Sequence, residues 1–403
     1  MSSIVMPRIR ARDQRDSLRP LALAAPLLLL LFFSFGAPIV ALLSRAVYEP
    51  TIANALPHTI AALRQDSGPG VPGEPVFVAL AADLKDAQAA GSLYELAKSL
   101  NTRLPGARSQ MLRAARYAAQ DPAPGKEAMI KAAPLLGEEQ GWTAIRNGAS
   151  RFTSYFLLNA FDLRWTDQGA IGAVPDGQAV FVRVFGRTFL IATMVTLATL
   201  ALAFPLAYVM TNLRPAMAAV VLVFVLLPFW TSILVRTAAW TVILQKYGLL
   251  NDLLLWLGLT SDRLELMYSR TGLIIAMTHI QLPFTLLPIY SVMRSVQPSQ
   301  IRAAQSLGGR PFTVFRRVYL PQVMPGVLAG CLLTFILCLG YYITPVLIGG
   351  ASDQLISNFI ANYVNVDLNW EMAAALSFVL LAATLGLYVT MTRYLGLDLF
   401  KMG

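Results

Sequence analysis

Residues 297–325 read QPSQIRAAQSLGGRPFTVFRRVYLPQVMP, an arginine-containing segment between two long uncharged runs. The run before it, between Arg270 and Arg294, has 23 uncharged residues, and the run after it, between Arg317 and Asp353, has 35. A helix needs about 20 residues to cross the hydrocarbon core of a bilayer, and an Arg or Asp near its centre costs about 2.5–3.5 kcal/mol. The two runs therefore predict transmembrane helices, and the segment between them is a loop at the membrane surface.

Four more uncharged runs of spanning length lie elsewhere in the chain. They have 25, 26, 21 and 21 residues and lie between Arg19 and Arg45, Arg187 and Arg214, Arg214 and Arg236, and Glu371 and Arg393. The first run is longer than the apolar core of a cleaved signal peptide, which has about 7–15 residues, so we interpret it as a membrane anchor. The sequence thus predicts an all-α polytopic membrane protein with six transmembrane helices.

The overall composition supports this class and excludes several others. The 403 residues are 56% hydrophobic and 13% charged, whereas soluble domains have roughly 25% charged residues. A wholly soluble enzyme and a disordered chain are therefore excluded, and the absence of a triplet glycine period excludes a collagen-like fibre. The net charge of +10 arises from the loops that flank the spans, so no nucleic acid is expected as a partner.

The distribution of arginine predicts the orientation in the membrane. The loop between the fourth and fifth helices has five arginines and no acidic residue, and the N-terminal tail has five arginines. Because short cytoplasmic loops are enriched in Lys and Arg, we expect this loop and both termini to be cytoplasmic. Arg183 and Arg187, at the outer end of the second helix, are then expected to extend toward the lipid headgroups.

A soluble insertion is predicted between the first and second transmembrane helices. Residues 47–182 contain 12 basic and 13 acidic residues, and apolar residues such as Phe77, Leu80 and Leu84 recur there at steps of three and four. That period is typical of amphipathic helices, so we predict a helical extracytoplasmic insertion. The other predicted regions are a cytoplasmic tail with the first helix (1–46), the transmembrane core (183–396) with its cytoplasmic loop (295–321), and a cytoplasmic tail (397–403).

The cytoplasmic loop is predicted to contain a short helix with defined ends. Pro298 and Ser299 are typical of a helix start, with the Ser299 hydroxyl as the N-cap. Gly308 and Gly309 are expected to end the helix, because glycine accepts left-handed backbone.

One face of this helix would present small and apolar residues, namely Ile301, Ala304 and Leu307. A second short helix is expected to start near Pro311, and Pro321 would mark the start of the fifth transmembrane helix. A short helix that is held at both ends loses little entropy on binding, so the loop suits docking into a groove of another protein.

The loop resembles a motif of a known family. Arg302-Ala303-Ala304, then Gly308, then Leu320-Pro321 are similar to the EAA loop of permease subunits in binding-protein-dependent ABC importers, with Arg302 where the pattern has Glu. The resemblance to the spermidine/putrescine-type branch of this family extends to LPFWTSILVRTAAW (227–240), YGLLN (247–251), YITPVLIGG (342–350) and NWEMAAALS (369–377).

The resemblance implies the type I ABC importer permease fold and a set of partners. These are a second permease subunit, two ATPase subunits that hold ATP and Mg²⁺, an extracytoplasmic solute-binding protein, and the inner membrane of a bacterium. The solute would be a polyamine or a related small organic molecule. The loop would couple the ATPase to the permease through Ser299, Ile301, Arg302, Ala303, Ala304, Leu307, Gly308, Gly309 and Pro321.

Candidate residues along the solute path are less sharply defined by the sequence. Arg236 lies 22 residues after Arg214, about 33 Å along a straight helix and hence near the outer membrane edge. It would either extend to the headgroups or form an ion pair in the path. The aromatic candidates, which are equally expected at membrane interfaces, are Trp230, Trp240, Tyr290, Tyr341 and Tyr342.

No catalytic, nucleotide-binding or metal-binding motif is found in the sequence. It has two histidines, His58 and His279, which are too few for a His-based metal site or catalytic triad. We interpret His279 as a hydrogen-bonding residue between helices. The chain itself is therefore predicted to bind no cofactor and to be no enzyme.

Two other classes of membrane protein remain open at this stage. An ATP-independent secondary transporter or channel would be favoured by carboxylates within the spans, and the six uncharged runs contain none. A structural or sensory anchor for the insertion would leave the loop motif without a role.

Overall fold

The computed structural model describes residues 24–395, apart from 67, 69, 122, 123, 167–169, 176 and 178. Residues 1–23, which belong to the predicted region 1–46, and the predicted cytoplasmic tail 397–403 lie outside the described residues. The chain divides into two compact units between Ser154 and Tyr155. Both units are mainly helical, as predicted.

The first unit begins with a long apolar helix, α1 (Ala24–Ser44), that contains a π-helical turn at Phe32–Gly36. It continues with shorter helices that carry the predicted amphipathic pattern. These are α2 (Thr51–Ala55), α3 (Pro57–Gln65), α4 (Glu74–Ala89), α5 (Leu93–Arg103), α6 (Ala107–Gln120), α7 (Lys126–Ala132), a 3₁₀ turn (Pro134–Gly137) and α8 (Glu139–Asn147).

Large apolar side chains form the core of these shorter helices. Phe77 of α4 and Trp142 of α8 are fully buried, and their rings meet edge to face with centroids 5.1 Å apart. The indole Nε1 of Trp142 donates a 2.8 Å hydrogen bond to the Leu136 carbonyl. Burial of such side chains supplies roughly 1.5–3 kcal/mol each, and this holds the shorter helices together.

The second unit consists of a small hairpin and the remaining long helices. Its elements are α9 (Tyr155–Ala160), β1 (Leu163–Trp165), β2 (Ile171–Ala173), α10 (Phe181–Asn212), α11 (Pro215–Leu226), a 3₁₀ turn (Leu227–Trp230), α12 (Ile233–Ile243), α13 (Leu249–Trp256), α14 (Arg270–Ser295), α15 (Pro298–Ser306), α16 (Pro311–Gly340), α17 (Ile343–Ile348), a 3₁₀ turn (Ala351–Asp353), α18 (Ile356–Asn365) and α19 (Trp370–Leu395).

The boundary between the units lies before the predicted end of the insertion at residue 182. β1 and β2 pair antiparallel, and Asp162, just before β1, adopts a left-handed φ of 55°. Its carboxylate accepts hydrogen bonds from the backbone N–H groups of Val180, Phe181 and Val182 at 2.8–3.0 Å. The Asp162 carboxylate therefore caps the start of α10, since a carboxylate is favoured at a helix N-terminus, and links the hairpin to this helix.

Five described helices are long and apolar enough to cross a membrane, namely α1, α10, α14, α16 and α19. The predicted third span is instead a bent pair, because α11 with its 3₁₀ turn and α12 meet at 104°. Pro228 lies in that turn, and the Ser232 hydroxyl accepts a 3.2 Å hydrogen bond from the Val235 N–H. Ser232 thus caps a new helix, which separates α12 from α11.

α10, α14 and α16 form the centre of the second unit. A Cβ added at Gly330 of α16 would lie 2.7 Å from the Thr285 carbonyl oxygen of α14, and one at Gly326 would lie 2.8 Å from the Pro288 carbonyl oxygen. Small residues at a helix interface let the two backbones approach closely. The hydroxyls of Thr285 and Thr334 are 2.6 Å apart in the same interface.

Candidate functional site

The predicted loop helix, α15, is present. It begins at Pro298, one residue before Ser299, which was predicted to be its N-cap. Pro298 is the first helical residue and Gln297 the N-cap, with no side-chain capping hydrogen bond. The prediction of Ser299 as the N-cap is therefore wrong. Proline fits the first helical position because its φ is already helical and it has no N–H to satisfy, and it favours extended backbone at Gln297.

The end of α15 has the predicted glycine geometry. The N–H of Gly308 donates to the Gln305 carbonyl at 2.9 Å, and the N–H of Gly309 donates to the Ala304 carbonyl at 3.1 Å. This pair of bonds is a Schellman motif, and Gly308 has the left-handed φ of 85° that it requires. Gly309 is restricted for a different reason, since an added Cβ would lie 2.7 Å from the Ala304 oxygen.

No side chain of α15 is buried within the chain. Leu307, just after the helix, is 89% exposed, and Phe312, at the start of α16, is 72% exposed. Large apolar side chains that are exposed in the same polar loop indicate a binding surface. Sequence reasoning included Leu307 but missed Phe312, although an isolated aromatic residue among arginines was a visible signal.

The segment after the loop helix is continuous with the following span. A short α-helical stretch begins at Pro311, as predicted, and ends at Val314; a π-helical turn at Phe315–Tyr319 then joins it to the span, so that α16 runs from Pro311 to Gly340. The N–H of Leu320 donates to the Phe315 carbonyl across this wider turn. Pro321 thus lies inside the helix and does not mark its start, because the π turn redistributes the hydrogen bonds around a residue that lacks an N–H.

Four candidate or related side chains meet within the second unit. Trp240 of α12 donates from Nε1 to Nδ1 of His279 on α14 at 3.2 Å, which confirms the predicted hydrogen-bonding role of His279. Arg236 interacts electrostatically with both His279 and Tyr341. Among the described residues, no hydrogen-bond partner is found for the buried Nε of Arg236.

The other candidate aromatic residues are Trp230, Tyr290 and Tyr342. Trp230 is 74% exposed at the bend before α12, and Tyr342 is 43% exposed at the start of α17. Tyr290 lies 11 residues after His279 on α14, which is about 16 Å along the helix. The assignment of all six residues to the solute path stays a prediction.

The expected distance between Arg236 and Arg214 is wrong. It assumed one straight helix, whereas the chain bends by 104° between α11 and α12. Arg236 therefore lies on a separate helix beside α14 and α17. The Thr237 hydroxyl next to it is 3.1 Å from the Thr344 hydroxyl of α17 in a buried contact.

Arg187 also differs from its expected position. Its guanidinium donates to the carbonyls of Ser352 and Gln354, so it does not extend to the headgroups. Beside it, Asp353 is 6% exposed and accepts a 2.8 Å hydrogen bond from Nε of Arg270. These contacts hold the segment after α17 against the starts of α10 and α14. They also supply hydrogen-bond donors to the backbone carbonyls of Ser352 and Gln354 in that segment.

Comparison with known proteins identifies the family. Residues 178–395 match the family described as binding-protein-dependent transport system inner membrane component. The spermidine/putrescine transport system permease protein PotB of Haemophilus influenzae is 31% identical over 54% of this chain and 77% of its own length. PotB of Escherichia coli is 33% identical over 50% of this chain and 73% of its own length.

Two further comparisons concern another permease and a solved transporter structure. The inner membrane ABC transporter permease protein YdcU of Escherichia coli is 34% identical over 52% of this chain and 70% of its own length. A chain of a bacterial alginate ABC transporter in complex with its alginate-bound periplasmic protein has a TM-score of 0.44 at 19% identity, over 53% of this chain and 79% of that chain. The chain belongs to the binding-protein-dependent transport system inner membrane component family and is a multi-pass inner-membrane permease subunit of an ABC importer with the type I permease fold.

Proposed function

We propose that this chain and a second permease subunit, identical or homologous, together form the translocation path of an ATP-driven importer. Two ATPase subunits hold ATP and Mg²⁺ and dock on the cytoplasmic loops, while an extracytoplasmic binding protein delivers the solute. This chain binds no nucleotide of its own. Both termini are cytoplasmic in this arrangement, which follows from the arginine-rich loop around α15.

The observation that carries the proposal is the geometry of α15. Pro298 fixes its first residue and the Schellman motif fixes its last, so the helix can move as a rigid body. Its side chains are free of contacts that would bury them, and Leu307 and Phe312 add exposed apolar surface. Closure of the ATPase dimer would displace α15 and thereby shift the bundle between its inward- and outward-facing states.

For the solute we propose a polyamine or a related small organic molecule. Support comes from the two PotB proteins, which are named for spermidine and putrescine transport. The uncharged runs contain no carboxylate that would pair with an ammonium group, and the group around His279 includes the cation Arg236. Selectivity for a cation is therefore assigned to the binding protein or the second permease subunit, while Trp240 and Tyr341 offer aromatic surfaces along the path.

Replacement of Leu307 by Asp tests the docking role. A charge at the centre of an apolar contact is desolvated without a partner, so the Leu307→Asp chain should lose the ATPase subunits during purification. The matched control is Val78→Asp, which places the same charge at an exposed valine of α4 (53% exposed) in the first unit. Co-purification of the ATPase with Leu307→Asp at the wild-type ratio would contradict the docking role.

A further inference from the structure

A cavity of about 480 Å³ lies behind α15. It is enclosed by α15, the last residues of α10 and α14, and the first turns of α16. Met293 and Val314 are buried at its floor, and the rings of Tyr208 and Tyr319 meet edge to face along one wall with centroids 5.8 Å apart. The cavity thus joins the loop helix to the ends of three membrane spans.

The polar lining of this cavity is cationic. Arg294 and Arg302 both line it, together with the polar side chains of Thr211, Asn212 and Gln305, and no carboxylate is among the lining residues. Two guanidinium groups that share a cavity without an acid repel each other, and an anion between them would remove that repulsion. Guanidinium groups bind phosphate oxygens with paired, charge-assisted hydrogen bonds.

The position of the cavity indicates where such an anion would come from. Asn212 ends α10, Ser295 ends α14 and Pro311 begins α16, so the cavity lies at the membrane surface where these three candidate spans end. Arg294 also lines a second cavity of about 550 Å³ that extends along α14 past Leu287 and Tyr290, in the direction of the bilayer. A ligand with a phosphate head and an apolar tail fits both cavities. Basic pockets between transmembrane helices at the cytoplasmic side are typical binding sites for anionic lipid headgroups.

We propose that the cavity behind α15 binds the phosphate headgroup of an anionic phospholipid of the surrounding bilayer. Arg294 and Arg302 contact the phosphate oxygens, and Asn212 or Gln305 donates to the remaining headgroup oxygens. Since Arg302 belongs to α15 and Arg294 to the bundle, the bound lipid holds the loop helix against the end of α14. That consequence for transport rests on the proposed function, whereas binding of the lipid does not.

Lipid retention by the purified full chain tests the site. Native mass spectrometry would be recorded after exposure to mixed vesicles of phosphatidylglycerol and phosphatidylcholine, for wild type, Arg294→Gln and the control Arg316→Gln. Arg316 is exposed in the same loop segment but does not line the cavity. We expect wild type and Arg316→Gln to retain phosphatidylglycerol selectively, and Arg294→Gln to retain it roughly tenfold less, because one charge-assisted contact is lost.

A second variant and a competition with inorganic phosphate complete the test. Arg294→Lys preserves the charge and should recover part of the selectivity, which separates loss of the site from loss of folding. Inorganic phosphate at millimolar concentration should not displace the lipid. Equal phosphatidylglycerol retention by Arg294→Gln and Arg316→Gln would overturn the proposal, and so would displacement by inorganic phosphate without any lipid selectivity.

Discussion

In the first unit, the carboxylates of Glu49 and Asp83 are buried with hydrogen-bond donors around them, whereas the long helices of the second unit bury hydroxyl and amide side chains. Glu49 and Arg103 are 4% and 2% exposed and form an ion pair at 2.5 Å. Asp83, 1% exposed, accepts hydrogen bonds from the N–H and hydroxyl of Thr59 at 2.7 and 2.6 Å. The corresponding buried groups of α14 and α16 are Gln281, Thr285 and Thr334.

The two units also differ in how their helices pack against one another. The first unit fills its interior with large side chains such as Phe77 and Trp142, while α14 and α16 meet through backbone at Gly326 and Gly330. In water, burial of large apolar surface stabilises the fold. Between membrane helices that driving force is missing, because lipid tails are as apolar as the side chains, and close backbone contact replaces it. Large buried side chains in the first unit and close backbone contact between α14 and α16 are therefore two different ways of holding helices together.

The largest loss of folded protein is expected when a bulky residue replaces Gly330, where α14 and α16 meet. In Gly330→Leu, the side chain would meet the Thr285 backbone, where even a Cβ lies 2.7 Å from the carbonyl oxygen. α14 and α16 must then separate, and we expect almost no monodisperse protein after detergent extraction. Gly386→Leu in α19 is the control, since nothing lies within 4 Å of its added Cβ. Similar yields for the two variants would show that the helices do not depend on this contact.

The next largest effect is expected from breaking the buried ion pair of the first unit. Arg103→Met removes the only cation that is seen to pair with the buried Glu49 carboxylate in the described residues and leaves it the hydrogen bond from the Ser99 hydroxyl; loss of one partner of a buried ion pair typically costs about 3–5 kcal/mol. The double variant Glu49→Leu/Arg103→Met removes both charges and should regain much of that stability. Hydrogen exchange of the α5 amides in the full chain measures both changes. If the α5 amides of Arg103→Met exchange as slowly as those of wild type, the ion pair is solvated and not buried.

The smallest effect is expected from the hydroxyl pair between the membrane helices. Thr285→Val removes one partner of the 2.6 Å contact with Thr334 and keeps the side-chain shape. Hydrogen bonds of this kind between membrane helices contribute about 0.6 kcal/mol on average. A shift of the thermal unfolding midpoint in detergent should therefore be small, and clearly smaller than that of Arg103→Met. A larger midpoint shift for Thr285→Val than for Arg103→Met would contradict the expected difference between the two units.

Much of this architecture could be predicted because it depends on local chemistry. Charge-free runs of about 20 residues identify spans directly, since the cost of a buried charge is a property of single residues. The glycines that end α15 were predictable for the same reason, because left-handed backbone at Gly308 is a local requirement. The EAA-like pattern then placed this helix in a family context.

The features that sequence reasoning missed depend on several residues together, and two of them on contacts between residues far apart in the chain. The 104° bend before α12 follows from Pro228 and Ser232 together, and neither residue alone distinguishes a kink from a break. Arg187 donates to carbonyls 165 and 167 residues later in the chain, which no local pattern predicts. Asp162 lies 18–20 residues before the amides that it caps, a contact that no local pattern predicts either.

The most direct test of the coupling role of α15 is the rate of ATP hydrolysis by the reconstituted complex, with and without the solute-loaded binding protein. In Gly308→Val, a β-branched residue would have to adopt the left-handed φ of 85°, which distorts the end of α15 without any steric contact elsewhere. We predict that this complex assembles but that the binding protein no longer raises its hydrolysis rate, whereas the wild-type complex responds. Full stimulation of the Gly308→Val complex would contradict the coupling role of α15.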